Sequence, residues 1–339
     1  MRFLKRFFLV LLLVLVLAAG VAFWWTRQPP PDAPGADTRW TALPANTPAR
    51  LKVSFLGVAT VLLDDGETAI LTDGFFSRPD MLQSLVGTVQ PDLAAIGRGM
   101  ERAGIPGRTG KLAAVIPVHS HYDHAMDAPE VARRTGALLL GSESTANVGR
   151  GWRLPEIQLK VAKLGEPMQF GKFTVTLWPG AHAPTGFTGG EITEPLKPPV
   201  RAFAYREGQT YAVHIVHEGR SLLINGSAGF APGALQKVQA DVVLLGIGTL
   251  GTQDAAYHDA YWREVVQATG ARRVVPIHWD NFWIPSEQPM RPMPVPLDRF
   301  DLSMAFLRAR GTQTGVDVRL PLQWQAMDLW QDLPVRPAQ

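Results

Sequence analysis

His119-Ser120-His121-Tyr122-Asp123-His124 places three imidazoles and a carboxylate within six residues. The run before it, Ala113-Ala114-Val115-Ile116-Pro117-Val118, reads as a short buried strand. Side chains alternate along a strand, so His119 and His121 point to the same side. Past the strand end the chain turns, which brings Asp123 and His124 to a second position nearby. Imidazole nitrogen and carboxylate oxygen are the donors that suit zinc, manganese or iron. Four ligand-type residues at this density do not fit an ordinary surface turn.

The rest of the composition sets limits around that stretch. The chain has 339 residues, 46% hydrophobic and 19% charged, which suits one large domain or two small ones. The formal net charge is +3, but Arg2, Lys5, Arg6 and Arg27 supply four positive charges before the first acidic residue, Asp32. Subtracting these four from +3 leaves −1 for the body, so nothing points to a nucleic-acid partner. Cysteine is absent, which excludes disulfides and thiolate ligands.

Phe7 to Trp25 carries no charge and follows Arg2, Lys5 and Arg6. As a helix it would measure roughly 28 Å, close to a hydrocarbon core. The basic flank places the N-terminus in the cytoplasm. The expectation is a single-pass inner-membrane anchor over 1–28, with the body on the extracytoplasmic, periplasmic side. The competing reading is a cleavable signal peptide, with Gly20-Val21-Ala22 as a weak processing site. Residues 29–48, opening on Pro29-Pro30-Pro31, read as a stiff linker, and 49–339 as the functional domain.

Along that domain, Leu51–Leu63 and Thr68–Thr72 read as a hairpin around Asp64-Asp65-Gly66. Asp73, at the end of the second strand, is either an acceptor for a metal-bound imidazole or a plain turn aspartate. Phe75 and Phe76 line a pocket mouth or simply pack. Pro91–Ala103 has a helical pattern, and Asp127 resembles the N-cap of a helix closed by Gly136. Arg150-Gly151-Trp152-Arg153 reads as an anion contact or, more simply, a solvated loop. Phe173–Trp178 alternates as a strand and is followed by His182. His214 and His217 fall on opposite faces of the strand Tyr211–Glu218, so both cannot join one site. Ser221–Asn225 completes that hairpin. Asp241–Ile247 is a continuous apolar strand. Ala255–Thr269 is helical, with His258 and Trp262 on one face. Arg273–Ile277 is a strand ended by His278-Trp279-Asp280. The proline-rich stretch Ile284–Pro296 would wall a pocket with Phe282 and Trp283. Asp298–Arg310 reads as a last helix capped by Asp298, and Val316–Leu320 as a final strand.

His119-x-His121-x-Asp123-His124 matches the metal motif of the metallo-β-lactamase-fold hydrolases, and the resemblance covers most of the chain from about Lys52 onward. It implies an α/β, four-layer αββα sandwich. It further implies that His119, His121 and His182 hold one metal, and Asp123, His124 and His278 a second. Within that family the chain most resembles the branch of N-acyl-phosphatidylethanolamine phospholipase D and ascorbate-phosphate lactonase. His-Tyr-Asp-His, Pro-Ile-His-Trp around His278, and His258 on the preceding helix carry that likeness. The implied activity is metal-dependent hydrolysis of an ester, lactone or phosphodiester bond. Asp123 would orient or deprotonate water, and His258 would donate a proton to the leaving group. Phe75, Phe76, Trp279, Phe282 and Trp283 would lie near a pocket for a small or lipid-like substrate. One departure stands out: where dinuclear members carry a bridging Asp, the turn Asn225-Gly226-Ser227-Ala228-Gly229 offers Ser227. The expectation is zinc, one ion tightly bound and the second weak or absent, with manganese or iron as alternatives. A non-catalytic metal-binding module of the same fold is the competing reading. Redox chemistry of the di-iron kind is a further one, although it would normally need a flavin or partner domain for which this chain has no room.

Overall fold

The computed structural model describes residues 2–26, 31–43, 51–107, 109, 111–186 and 189–334. It divides into two compact units, Met1–Asp32 and Ala33–Gln339. The first contains helix α1 (Arg2–Thr26). Among the described residues no helix is long and apolar enough to cross a membrane. The spanning anchor expected over 1–28 is therefore not a feature of those residues.

Among the described residues the second unit is built on fourteen strands in two sheets. Sheet one uses β1 (Lys52–Gly57), β2 (Thr60–Asp64), β3 (Ala69–Thr72), β4 (Leu112–Ile116), β5 (Leu138–Gly141), β6 (Leu159–Val161) and the C-terminal β14 (Ala326–Met327), in the order β14-β1-β2-β3-β4-β5-β6. Sheet two uses β7 (Pro167–Phe170), β8 (Phe173–Pro179), β9 (Tyr211–His217), β10 (Arg220–Asn225), β11 (Val242–Gly246), β12 (Arg273–Ile277) and β13 (Asp317–Val318), in the order β13-β12-β11-β10-β9-β8-β7. Both sheets are mixed, antiparallel at the hairpins and parallel from β3 to β6 and from β10 to β13. The helices are α2 (Met81–Val86), α3 (Leu93–Arg102), α4 (Tyr122–Ala125), α5 (Ala128–Thr135), α6 (Glu143–Gly151), α7 (Ala255–Tyr261, continued by a π-turn over Trp262–Gln267) and α8 (Phe300–Thr314).

Alternation along the strands sorts the side chains into layers. Val53, Phe55, Val61, Leu63, Ile70 and Ile116 face Val175, Val213, Ile215 and Ile224 in the core between the sheets. The other face of sheet one, with Leu62, Leu71, Val115 and Leu139, packs on Ile96, Met100, Val131 and Ala132 of α3 and α5. Val265, Val266, Met304 and Leu307 from α7's continuation and α8 close the same large core on sheet two. This is the α/β sandwich expected.

Three expectations are corrected. Leu51–Leu63 is two strands, because the chain doubles back at Gly57-Val58, both with positive φ (107° and 54°). Residues 37–43 are not a free linker: Trp40 is buried, its Nε1 donates to the Leu320 carbonyl, and Ala42 bridges Met327. An aromatic ring there gains more from burial than an extended linker could offer. Pro29, Pro30 and residues 44–48 of that expected linker lie outside the described residues. Finally, Asp298 does not cap the last helix, since α8 starts at Phe300 after Arg299, with no side-chain cap.

Candidate metal centre

The motif sits where β4 leaves sheet one. Beyond Pro117 the chain turns, and α4 begins with His121 at its N-cap position. His119 and His121 thereby stay at the strand exit, while Asp123 and His124 fall in the first turn of the helix. Asp73 fixes this corner. It follows β3 in a left-handed conformation, φ 53°, and its two carboxylate oxygens serve different partners. One accepts from the Val118 amide at 2.9 Å, the other from His124 Nδ1 at 2.7 Å. A carboxylate accepting at Nδ1 leaves the His124 Nε2 lone pair free to face the centre. Asp73 is thus both the turn aspartate and the imidazole acceptor.

Sheet two supplies the remaining ligand-type groups. His182 follows β8, and its Nδ1 donates to the Ala183 carbonyl at 2.7 Å, which again leaves Nε2 bare. His278 follows β12 in a left-handed conformation, φ 55°. Its amide donates to the Val58 carbonyl, 2.7 Å away on the Gly57-Val58 turn of sheet one. The next turn is pinned by a buried pair: Asp280 accepts from Val58 N and from Arg78 Nη2, both at 2.7 Å. Gly248 is required beside it, because a Cβ there would lie 2.8 Å from the His278 carbonyl oxygen.

Two triads result. His119, His121 and His182 form triad one, and Asp123, His124 and His278 form triad two. Within each, one donor atom per residue lies within 4.8 Å of the others. The nitrogens of His119 and His121 approach to 2.9 Å, and those of His124 and His278 to 3.1 Å. Imidazoles converging at that range cannot all carry protons, so the donor set is one of lone pairs aimed at shared points. His119 Nδ1 is buried with no partner among the described residues. The convergence fits divalent cations held by nitrogen and carboxylate donors.

The electrostatics differ between the triads. Burial, followed by the neighbouring histidines, lowers His119 well below the ordinary imidazole value. Burial, then His121, pushes His182 down to about 3. For His124 burial works in the same direction, but the Asp73 and Asp123 carboxylates outweigh it and raise its proton affinity. Asp123 is fully buried, which favours its neutral form, yet His124, His278 and His121 hold it ionised.

A cavity of about 440 Å³ opens on both triads through His121, Asp123, His182 and His278. Phe282 and Trp283 line it, as the sequence suggests, and so does Ser227. Ser227 Oγ accepts from the Ala183 amide at 3.0 Å, beside His182. Asn225 ties the same turn, donating to the carbonyls of Ser227 and Gly229 and to the Tyr261 hydroxyl.

Other expected site residues are placed elsewhere. Phe75 is buried edge-on to Tyr122, Phe76 packs on Trp324, and Trp279 lies between Phe55 and Phe300. Each is a large apolar ring that the core takes in. His258 is likewise outside the cavity: its Nε2 bonds the Leu250 carbonyl at 2.7 Å and its ring rests on Phe306. His214 and His217, read as structural, bond the Gln239 carbonyl and pair with Asp65, respectively. Arg150 is taken up by Glu143, Glu156 and Asn147. Sequence reasoning missed Tyr122, Tyr205, Thr249 and Asp298 as cavity residues. Tyr122 alone carried a signal, by lying inside the motif.

A two-sheet sandwich with one three-histidine triad and one Asp/His triad at one edge defines a metal-dependent hydrolase of the metallo-β-lactamase fold. The chain belongs to the beta-lactamase superfamily domain family, whose description matches residues 68–279. Among similar proteins is a UPF0173 metal-dependent hydrolase of Staphylococcus aureus (strain Newman). It is 24% identical over 244 residues, which cover 71% of this chain and 91% of the relative. Among solved structures, a metallo hydrolase from Ignicoccus hospitalis is 17% identical, with a TM-score of 0.49 over 82% of this chain and 97% of that one. A diiron beta-hydroxylase from Streptomyces venezuelae, CmlA, is also 17% identical, with a TM-score of 0.49 over 83% of this chain and 54% of that one.

Proposed function

We propose that the protein hydrolyses an ester, lactone or phosphodiester bond in an amphipathic, lipid-like substrate. The observation that carries this reading is the cavity, which joins four ligand-type residues to a largely apolar wall. Zinc suits the donor set: His119, His121 and His182 would hold one ion, and Asp123, His124 and His278 a second. Bound there, zinc supplies Lewis acidity toward a carbonyl or phosphoryl oxygen and makes water nucleophilic near neutral pH.

The chain's own groups do the rest. Asp123, held ionised and facing the cavity, accepts the proton of the attacking water. Tyr122 fixes the wall by accepting a hydrogen bond from Trp283 Nε1 at 3.1 Å. Phe282 and Trp283 exclude water from the acyl side. Leu85, Phe203 and Leu297 line the cavity yet are 47%, 44% and 41% exposed, so the apolar wall continues to the surface. Leu82 and Val86 extend it along the same face of α2. Exposed apolar surface around a cavity suits an apolar tail that is not fully enclosed. An export reading, with the domain outside the cytoplasm, rests on Arg2, Lys5 and Arg6 ahead of the uncharged run 7–25.

With Ser227, on the turn after β10, in place of the bridging carboxylate of dinuclear members, two cations would repel with less compensation. One tightly held ion, at triad one, and a weaker second are therefore proposed. The test is a panel of short- and long-chain esters, lactones and phosphodiesters, run on zinc-loaded protein with and without chelator. Turnover abolished by chelator, with a higher specificity constant for long chains, is expected. No turnover across the panel with metal loaded would leave a binding module. Equal constants for short and long chains would remove the lipid-like substrate.

A further inference from the structure

Asp298 is a buried carboxylate on the cavity wall, 2% exposed, on the segment just before α8. It caps no helix, and among the described residues no cationic side chain is paired with it. Two backbone amides hold it, those of Thr249 and of Arg299, the latter at 2.7 Å. Burial raises its carboxyl above the ordinary value, and the two amides and His278 only partly offset this. An ionisable group kept in such a place without a counter-ion is costly to fold around. Such costs persist chiefly where they are used.

A second observation lies against it. Thr249 also lines the cavity, and it is a β-branched residue in the left-handed region, φ 65°. That conformation is strained for threonine, and strain of this kind concentrates at ligand sites. The turn is clamped by Thr252 Oγ1 and Gln253 Nε2, both donating to the Thr249 carbonyl. Thr249 Oγ1 is buried with no partner among the described residues. A carboxylate held by the Thr249 amide and the unpartnered hydroxyl of the same threonine thus both lie on a cavity that also contains His278.

We infer that Asp298 and Thr249 form a subsite for a hydrogen-bond donor, a hydroxyl or amino group carried by the substrate close to its scissile bond. The subsite deepens the hydrolase reading and rests on it for the word substrate. Its chemistry is independent of turnover. The carboxylate accepts from the donor, and the threonine hydroxyl completes the contact. Substrates lacking the donor leave both groups desolvated and unpaired, which is how a buried polar site discriminates.

Binding can be read without hydrolysis by using ethers. Hexyl ethyl ether, 2-(hexyloxy)ethanol and 2-(hexyloxy)ethylamine are titrated calorimetrically into the zinc-loaded full chain, the parent and Asp298→Asn. The parent should bind the hydroxyl or amino ether roughly tenfold more tightly than the ethyl ether, the scale of one hydrogen bond to a charged acceptor. Asp298→Asn should abolish most of that ratio while leaving the ethyl ether unchanged. The larger loss, for the alcohol or the amine, identifies which donor the subsite takes. Thr249→Gly, which keeps the left-handed turn without strain, should lower the ratio and serves where Asp298→Asn does not fold. Equal binding of the three ethers by the parent overturns the inference. So does a preference that survives in the variants, which would mean that the metals hold the amine. An ester panel without turnover would remove the hydrolase reading but leave the ether result standing.

Discussion

Triad one is assembled from strand exits, and triad two from a helix start and a strained turn. His119 and His121 leave β4 directly, and His182 follows β8, with its tautomer set by a neutral carbonyl. Triad two needs more support: Asp73 behind His124, and the Arg78–Asp280 pair beneath the left-handed His278 turn. The charge follows the architecture. In triad one His119 and His182 have lowered proton affinity, whereas triad two sits among carboxylates that favour protonated His124. Ligands must be deprotonated to bind metal. Triad one is therefore ready for a cation where triad two must first release a proton.

The largest effect should come from emptying triad one. His182→Ala leaves two imidazoles there, too few for a retained zinc ion. The tightly held ion and all turnover should be lost, read by metal content after dialysis and by rate. Retention of one ion would place the tight site in triad two and reverse the comparison.

Next comes the carboxylate behind triad two. Asp73→Asn replaces an acceptor at His124 Nδ1 with an amide, and should lower second-metal affinity or activity about 10- to 100-fold. Acid should act on the same triad in the parent. His124 has a raised proton affinity, so the second ion should leave as the pH falls through and just above the ordinary histidine value of about 6.5. The first ion should persist into stronger acid, since His182 protonates only near about 3. For folding stability the His182 sign is fixed: its contribution is present above the unfolded value, and falls away between there and about 3. Metal per chain measured against pH checks both steps, and simultaneous loss of the two ions would contradict the distinction.

The contrast also explains what could be read from the residues alone. Triad one follows from residue type and the family motif; strand alternation does not place it, because β4 ends at Ile116 and His119 and His121 lie in the bend beyond. The layers follow from apolar periodicity. What stayed hidden depends on distant contacts. Gly57-Val58 reads as the middle of a strand until its carbonyl is seen to accept from His278, more than two hundred residues away. Asp298 reads as a helix cap because Asp before an amphipathic run normally is one. The aromatic residues failed for another reason: Phe75, Phe76 and Trp279 satisfy the core and the cavity equally well by type, and only packing distinguishes them.

Ser227 tests the ground between the triads. Ser227→Asp would put a carboxylate where the hydroxyl now accepts from Ala183 N, beside His182. Second-metal affinity should rise about tenfold, the scale of one added charged ligand partly offset by burial. Two ions per chain should then survive dialysis, while the parent keeps one. Unchanged affinity would show that Ser227 does not stand between the two cations, and two retained ions in the parent would falsify the mononuclear reading.

The smallest effect is expected at His258, the histidine that looked catalytic by position. It lies on α7, and its Nε2 meets a backbone carbonyl, an arrangement in which the nitrogen can only donate. The opposite face of the ring rests on Phe306, with ring centres 4.7 Å apart. A proton donor to a leaving group needs a path to the cavity, and this nitrogen is committed to Leu250 instead. His258→Phe keeps the ring stacking and removes the bond. The expected cost is about 1 kcal/mol of stability, the net worth of one hydrogen bond. Turnover should stay within about twofold of the parent. A general acid would instead lose on the order of 10² to 10⁴ in rate, with the alkaline limb of the pH profile flattened. Measuring kcat across pH in His258→Phe separates the two by at least an order of magnitude, and a large loss would move His258 into the site beside triad two.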